Sequence, residues 1–143
     1  MIPHRLRPAL FLLVSVLMLP LMITNESLWI DEGSTALFAT QPDLGSWWAY
    51  FTTNRSTDAQ MPLSTFTAWM AEKVIGSQEW QLRAVNLVWG LCALLGITFV
   101  GRRLALPWLP LFLAIQPYFW FYMNEARPFI LQLAAASWLL APW

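Results

Sequence analysis

The chain has 143 residues, of which 58% are hydrophobic, 15% are aromatic and only 11% are charged, with a mean hydropathy of +0.52. A soluble domain carries roughly 25% charged residues, so this composition excludes an ordinary water-facing surface and indicates a membrane protein. The zero net charge argues against nucleic acid as a partner, because phosphate backbones need a basic patch, and the single Cys92 and single His4 argue against disulfides and zinc.

The first predicted element is an apolar run at about residues 8–24, which follows a basic start formed by His4, Arg5 and Arg7. Its length is close to the roughly 20 residues that a helix needs to cross the hydrocarbon layer. The next residues, TNESLW, lack the small-x-small pattern of a signal-peptide cleavage site. We therefore expect a retained transmembrane helix.

A polar outer loop, residues 25–81, comes next. It contains seven of the eight acidic residues, against only Arg55 and Lys73 as basic ones. The stretch DEGSTALFAT opens with Asp31 and Glu32, and two acids at a helix N-terminus are favoured by the helix dipole. This stretch predicts a helix that starts beside Trp29.

A second helix of the loop is predicted between Pro62, at a first-turn position, and Gly76, just past the end. Its apolar side chains recur at helical spacing: Leu63, Phe66, Met70 and Val74. Such a stripe is typical of a helix that lies in the membrane interface. The aromatic stretch SWWAYF, residues 46–51, is expected at the level of the lipid headgroups.

Three further spans are predicted at about residues 82–100, 104–122 and 126–142. The third is weakened by Pro107, Pro110 and Pro117 and is expected to be short, kinked or split. Arg102 and Arg103 lie between the second and third spans, and the positive-inside rule places them in the cytoplasm with the basic start. The outer loop and the NEAR stretch, residues 124–127, then face the periplasm or its equivalent.

The predicted fold class is therefore an all-α polytopic membrane protein, with about four transmembrane helices and interfacial helices in the first outer loop. The expected location is the plasma (inner) membrane with an active face outside the cytoplasm. The last span stops at APW without a polar flank, so we interpret residues 1–143 as the N-terminal part of a longer protein. Such a part need not be active alone.

Four side chains are the first candidates for chemistry: Asp31, Asp58, Glu125 and Arg127, with Glu32 beside Asp31. Each also has an ordinary interpretation. Asp31 and Glu32 could cap a helix, Asp58 could be a turn residue, and Glu125 and Arg127 could be a solvated pair at the end of a span.

Taken together, outward-facing carboxylates and an arginine suit sugar transfer from a lipid-linked donor. A sugar on a polyprenyl phosphate leaves as a phosphate, so it needs positive charge rather than a general acid, and Arg127 or Arg83 could supply that charge. A carboxylate on the opposite face of the sugar would act as the base for the acceptor hydroxyl. Direct displacement would invert the anomeric centre.

Four stretches resemble the GT-C membrane glycosyltransferases in order and spacing: SLWIDEGSTALFA, DAQMPLSTF, GSQEWQLRAVNLVWG and YMNEARPF. They look most like the mannosyltransferase-like and RgtA/B/C/D-like branch, which includes the aminoarabinose transferases that modify lipopolysaccharide. Carried over by residue, the resemblance implies that Asp31 is the base with Glu32 beside it, and that Asp58 is the acid of the second stretch. Glu125 and Arg127 match the acid and arginine of the last, where donor phosphate or a divalent metal binds.

This chain departs from the family pattern at three positions. Gln60 stands where the family often has His, which removes one candidate ligand for phosphate or metal; Met61 replaces a Pro and Phe129 a Tyr. The family implies a polyprenyl-phosphate sugar donor and contact with membrane lipid, with the metal requirement and oligomeric state left open. The predicted catalytic residues are Asp31 and Glu32, and the predicted substrate-binding residues are Asp58, Gln60, Arg83, Glu125 and Arg127.

The alternative interpretation is a non-enzymatic fragment of a transporter or assembly protein, in which the acids form a substrate or ion path. Such a path would place ionisable groups within the spans, whereas here the spans carry almost none. A truncated pseudo-enzyme is the third interpretation. The sequence does not identify the sugar or the acceptor.

Overall fold

The computed structural model describes residues 6–54 and 57–141, and in these ranges it contains helices and no strand. The all-α prediction is confirmed. His4 and Arg5 of the predicted basic start, Arg55, and the last two residues of the chain lie outside the described residues. The α-helices are α1 (Arg7–Met18), α2 (Ile30–Ala39), α3 (Leu44–Thr53), α4 (Pro62–Ile75), α5 (Glu79–Arg103), α6 (Leu109–Ala114), α7 (Pro117–Met123) and α8 (Phe129–Leu140), with 3₁₀ turns at Leu19–Met22 and Thr57–Gln60.

Helix α5 is the one helix of the described ranges that is long and apolar enough to cross a membrane. Its 25 residues correspond to roughly 37 Å at 1.5 Å per residue. The apolar helices Arg7–Met22 and Phe129–Leu140 are shorter. The predicted third span is split into α6 and α7, because Pro110 and Pro117 occupy first-turn positions and begin new helices instead of continuing one.

The chain divides into two compact units. We call residues 6–23, 86–124 and 129–141 the apolar unit, and residues 24–54, 57–85 and 125–128 the acidic unit. Helix α5 contributes residues 79–85 to the acidic unit and 86–103 to the apolar unit.

In the apolar unit, other helices pack closely against α5. The buried core of this unit consists of Leu19, Met22, Leu94, Ala114, Phe119, Met123 and Ile130. A Cβ added at Gly90 would lie 2.7 Å from the sulfur of Met123, so the absence of a side chain lets these helices pack closely. The Asn86 amide donates hydrogen bonds to the carbonyl oxygens of Tyr122 and Met123 at the end of α7, which leaves those carbonyls satisfied.

The acidic unit packs α2 against α4 around small buried side chains, Ala39 and Ala68 among them. Helix α4 begins at Pro62 and ends at Ile75, as predicted, and Gly76 follows with φ +102°, a backbone conformation that L side chains rarely adopt. Its stripe is exposed at Leu63, Met70 and Val74.

Helix α3 is capped by Asp43, which was not predicted as a helix cap. Asp43 accepts hydrogen bonds from the backbone N–H and the hydroxyl of Ser46, at 2.8 and 3.1 Å, and thus caps the helix. Trp47 of this helix is buried and stacks on Phe51 with 5.2 Å between ring centroids, whereas Trp48 is exposed. The aromatic stretch therefore has one face in the acidic unit's interior and another outside it.

Candidate functional site

A buried ion pair lies within the acidic unit. The guanidinium of Arg83 grips the carboxylate of Glu32 with two parallel bonds, Nε to Oε1 at 3.0 Å and Nη2 to Oε2 at 2.7 Å. Both side chains are 1% exposed. A bidentate arginine–carboxylate pair of this kind fixes both groups in position as well as in charge.

The remaining donors of Arg83 hold the chain segment that precedes α2. Nη1 donates to the carbonyl oxygens of Thr24 and Glu26 at 3.2 and 2.7 Å, and Nη2 donates to the Ser27 carbonyl at 3.4 Å. A guanidinium has five N–H donors, and these contacts engage it on every nitrogen. The role of Arg83 as a phosphate contact stays a prediction, and a phosphate that bound it would have to displace Glu32 or one of these backbone carbonyls.

Glu32 accepts hydrogen bonds from two backbone N–H groups as well. The Trp29 N–H donates to Oε2 at 2.9 Å, which caps the start of α2, and the Ala126 N–H donates to Oε1 at 2.6 Å. Burial raises the pKa of Glu32, but the hydrogen bonds from Arg83, Ala126 and Trp29 and the charge of Arg83 outweigh it, and the pKa lies below its ordinary value. These contacts hold Glu32 ionised and enclosed, which favours a structural role, and its catalytic role stays a prediction.

Arg127 joins two of the predicted acidic stretches. Its Nη1 donates to Asp58 Oδ1 at 2.9 Å and to the backbone carbonyl of Asp31 at 3.2 Å. Asp58 lies in the 3₁₀ turn Thr57–Gln60 and is buried. Its Oδ2 is buried without a hydrogen-bond partner among the described residues, which is unusual for a buried carboxylate oxygen. Asp58 is thus more than an ordinary turn residue.

The other predicted residues of the site are more accessible. Asp31 is exposed although Glu32, the next residue, is buried, as expected from the roughly 100° between successive residues of a helix. Gln60 is exposed at the end of the 3₁₀ turn. Glu125 is half-buried, and burial and the nearby charges of Glu32 and Asp31 raise its pKa against the opposing effect of Arg127 and Arg83.

The structure therefore brings the predicted residues into one cluster with two hydrogen-bonded sets. Glu32 bonds to Arg83, and Arg127 bonds to Asp58 and to the Asp31 carbonyl. The sequence predictions missed the backbone groups that complete the cluster, above all the Ala126 N–H. One signal was available: an arginine in the first turns of an apolar helix needs a buried partner, and the outer loop offers carboxylates.

No three Asp, Glu, His or Cys side chains of residues 6–54 and 57–141 come together closely enough to hold a metal ion. Comparison with protein-family models, with curated proteins and with solved structures finds no match for this chain.

Proposed function

We propose that this chain is part of a polytopic membrane glycosyltransferase that takes a sugar from a polyprenyl-phosphate donor at the outer face of the membrane. The observation that supports this proposal best is the Arg127 contact set. One guanidinium touches both the start of α2, beside the exposed Asp31, and the buried carboxylate of Asp58. Residues that are 96 and 69 positions away from Arg127 in the sequence are thereby held at one place.

The proposed reaction is a direct displacement at the anomeric carbon. Asp31 accepts the proton of the acceptor hydroxyl, the hydroxyl oxygen forms the new bond to the anomeric carbon, and the bond to the donor phosphate oxygen breaks. The electron pair of that bond leaves with the phosphate, and the configuration inverts. Asp31 suits the role of base because its side chain is exposed at the first turn of a helix that is fixed by the buried Glu32.

Arg127 is the proposed contact for the donor phosphate, because its side chain is 14% exposed, whereas that of Arg83 is 1% exposed. Charge limits this contact: the carboxyl groups of Asp31, Glu32, Asp58 and Glu125 outnumber the guanidiniums of Arg83 and Arg127. Protonation of Glu125, whose pKa is raised by burial and by the nearby carboxylates, would reduce this excess, because a protonated Glu125 carries no charge. We expect donor binding to strengthen as Glu125 becomes protonated.

The proposed location rests on hydrophobicity. Helix α5 could cross a membrane by its length and composition, and the acidic unit carries exposed apolar side chains at Trp29, Ile30 and Trp48. Tryptophan is enriched where protein meets the lipid headgroups. Trp29, two residues before Asp31, would hold the base at the height of a donor whose phosphate cannot travel far from the headgroup plane.

The test compares Asp31→Asn with Asp43→Asn in membranes from cells that express the chain, supplied with polyprenyl-phosphate-linked sugars. Asp43 is a matched control because it is also an exposed acid at a helix start, and asparagine still caps a helix well. We expect Asp31→Asn to lower transfer by roughly 10²–10⁴-fold, the usual contribution of a general base, and Asp43→Asn to leave it near wild type. Near-normal transfer by Asp31→Asn together with complete loss in Glu125→Gln would make Glu125 the base.

A further inference from the structure

We propose that Glu32 and Arg83 are positioning residues, which set the place of Arg127 relative to Asp31. The structural part concerns this chain alone. Its consequence for catalysis rests on the proposed function, in which Asp31 is the base and Arg127 binds the donor phosphate.

Glu32 is joined to the backbone next to both Asp31 and Arg127, the two groups of the proposed reaction. It follows Asp31 directly in the first turn of α2, and its Oε1 holds the N–H of Ala126, the residue directly before Arg127, at 2.6 Å. One carboxylate therefore fixes the backbone on both sides of the site. Arg127 in turn donates to the Asp31 carbonyl at 3.2 Å, which joins the two backbone segments a second time.

Arg83 supplies what Glu32 needs to hold this position. A carboxylate that is 1% exposed would take up a proton without a charged partner, and a protonated carboxyl is a weaker acceptor for the Ala126 N–H. Arg83 keeps Glu32 ionised and also holds the carbonyls of Thr24, Glu26 and Ser27, so the segment leading into α2 cannot drift. The pair acts through Arg127 and Asp31 and need not touch substrate.

The experiment must separate positioning from stability, because removal of one partner would leave a buried unpaired charge. Two double variants avoid this: Glu32→Met with Arg83→Met, and Glu32→Gln with Arg83→Met. Both lack the buried charges. They differ in whether residue 32 can accept a hydrogen bond. Because the bond from the Ala126 N–H is buried and the bond from the Trp29 N–H is only partly buried, we expect the glutamine oxygen to face Ala126.

Two measurements are made on both variants and on the wild type. Each protein is measured at the same number of degrees below its own thermal unfolding midpoint, so that the three are compared at matched stability. Amide hydrogen exchange at Ala126 reports the hydrogen bond directly and needs no activity. Affinity for polyprenyl phosphate in nanodiscs, followed by tryptophan fluorescence, reports the place of Arg127. For the methionine variant we expect faster Ala126 exchange and an affinity lower by roughly tenfold or more, the scale of a hydrogen bond to a charged group. The glutamine variant should stay closer to wild type on both.

Equal Ala126 exchange in the two variants and the wild type would overturn the positioning role. Equal affinity in the two variants, at matched stability, would overturn its link to the site and leave the pair purely structural. A wild-type chain that shows no binding of polyprenyl phosphate would count against the proposed function instead, and the exchange measurement would still decide whether Glu32 positions Arg127.

Discussion

Replacement of Arg83 by methionine should reverse the way in which Glu32 responds to pH. The change removes five hydrogen bonds, two to Glu32 and three to backbone carbonyls. It leaves a carboxylate that is 1% exposed without its cation. Breaking a buried pair in this way costs about 3–5 kcal/mol of unfolding free energy.

A second route to the magnitude gives a similar number. Glu32 can escape its unpaired charge by taking up a proton, and at pH 7 protonating a group with an ordinary pKa of 4.5 costs about 3 kcal/mol, at 1.36 kcal/mol per pH unit. This cost falls by about 1.4 kcal/mol for each unit that the pH is lowered towards the ordinary pKa.

The sign of the pH dependence therefore distinguishes the two proteins. In the wild type the pKa of Glu32 is lowered, so its contribution to stability is present above pH 4.5 and is lost as the pH falls through the folded-state pKa. In Arg83→Met we expect burial without the cation to raise the folded-state pKa of Glu32, so the contribution is present below the ordinary pKa and is lost as the pH rises. The deficit of the variant should therefore shrink between pH 7 and pH 5.

Thermal unfolding in detergent, followed by circular dichroism at pH 5, 6 and 7, measures this deficit. At pH 7 we expect the midpoint to fall by on the order of 10 °C. Arg102→Met is the control, because it removes an exposed arginine from the last turn of the same helix and should cost less than about 1 kcal/mol. A midpoint for Arg83→Met that stays near wild type at pH 7, or a deficit that does not change with pH, would refute this reasoning.

Two further predictions concern other parts of the molecule. A Cβ at Gly96 would overlap the Ser137 hydroxyl and lie 3.1 Å from the Ser137 backbone carbon, so Gly96→Ala should lower the unfolding free energy by about 1–3 kcal/mol through overpacking. Gly33→Ala is the control and should not destabilise the protein, because the added Cβ meets nothing within 4 Å. Equal unfolding midpoints for the two variants would contradict this prediction. The pKa of Glu125 is raised, so its contribution to stability is present below about pH 4.5 and is lost as the pH rises through the folded-state pKa. Glu125→Gln should therefore raise the unfolding midpoint at pH 7 but not at pH 4. A gain that is the same at both pH values would argue against this prediction.

Local signals in the sequence were enough to locate some helices. Pro62 and Gly76 bound α4 because proline suits the first turn and glycine suits a backbone with positive φ. The two acids after Trp29 lie in the first turn of α2, as the helix dipole predicts. These are interactions between neighbours in the chain, so a sequence displays them directly.

The partners of the charged residues could not be predicted in the same way. Arg83 and Glu32 are 51 positions apart, and Arg127 and Asp58 are 69 apart, and no periodicity relates such distant residues. The sequence shows the charge of Arg83, but it does not show the burial of Arg83 against Glu32. The cap at Asp43 was missed for a different reason: the aromatic stretch after it, read as a surface feature, hid the start of α3.

The bond between Ala126 and Glu32 has a consequence for the order of events during synthesis. A ribosome adds residues N-terminal first at about 5–20 per second, so the N–H that completes Glu32, 94 positions later, is made roughly 5–20 s after the carboxylate. Arg83 is made about midway through that interval. Glu32 must stay hydrated until then, since an ionised carboxylate is not buried without its partners. The start of α2 is therefore expected to dock late, after residues 83 and 126 have been made.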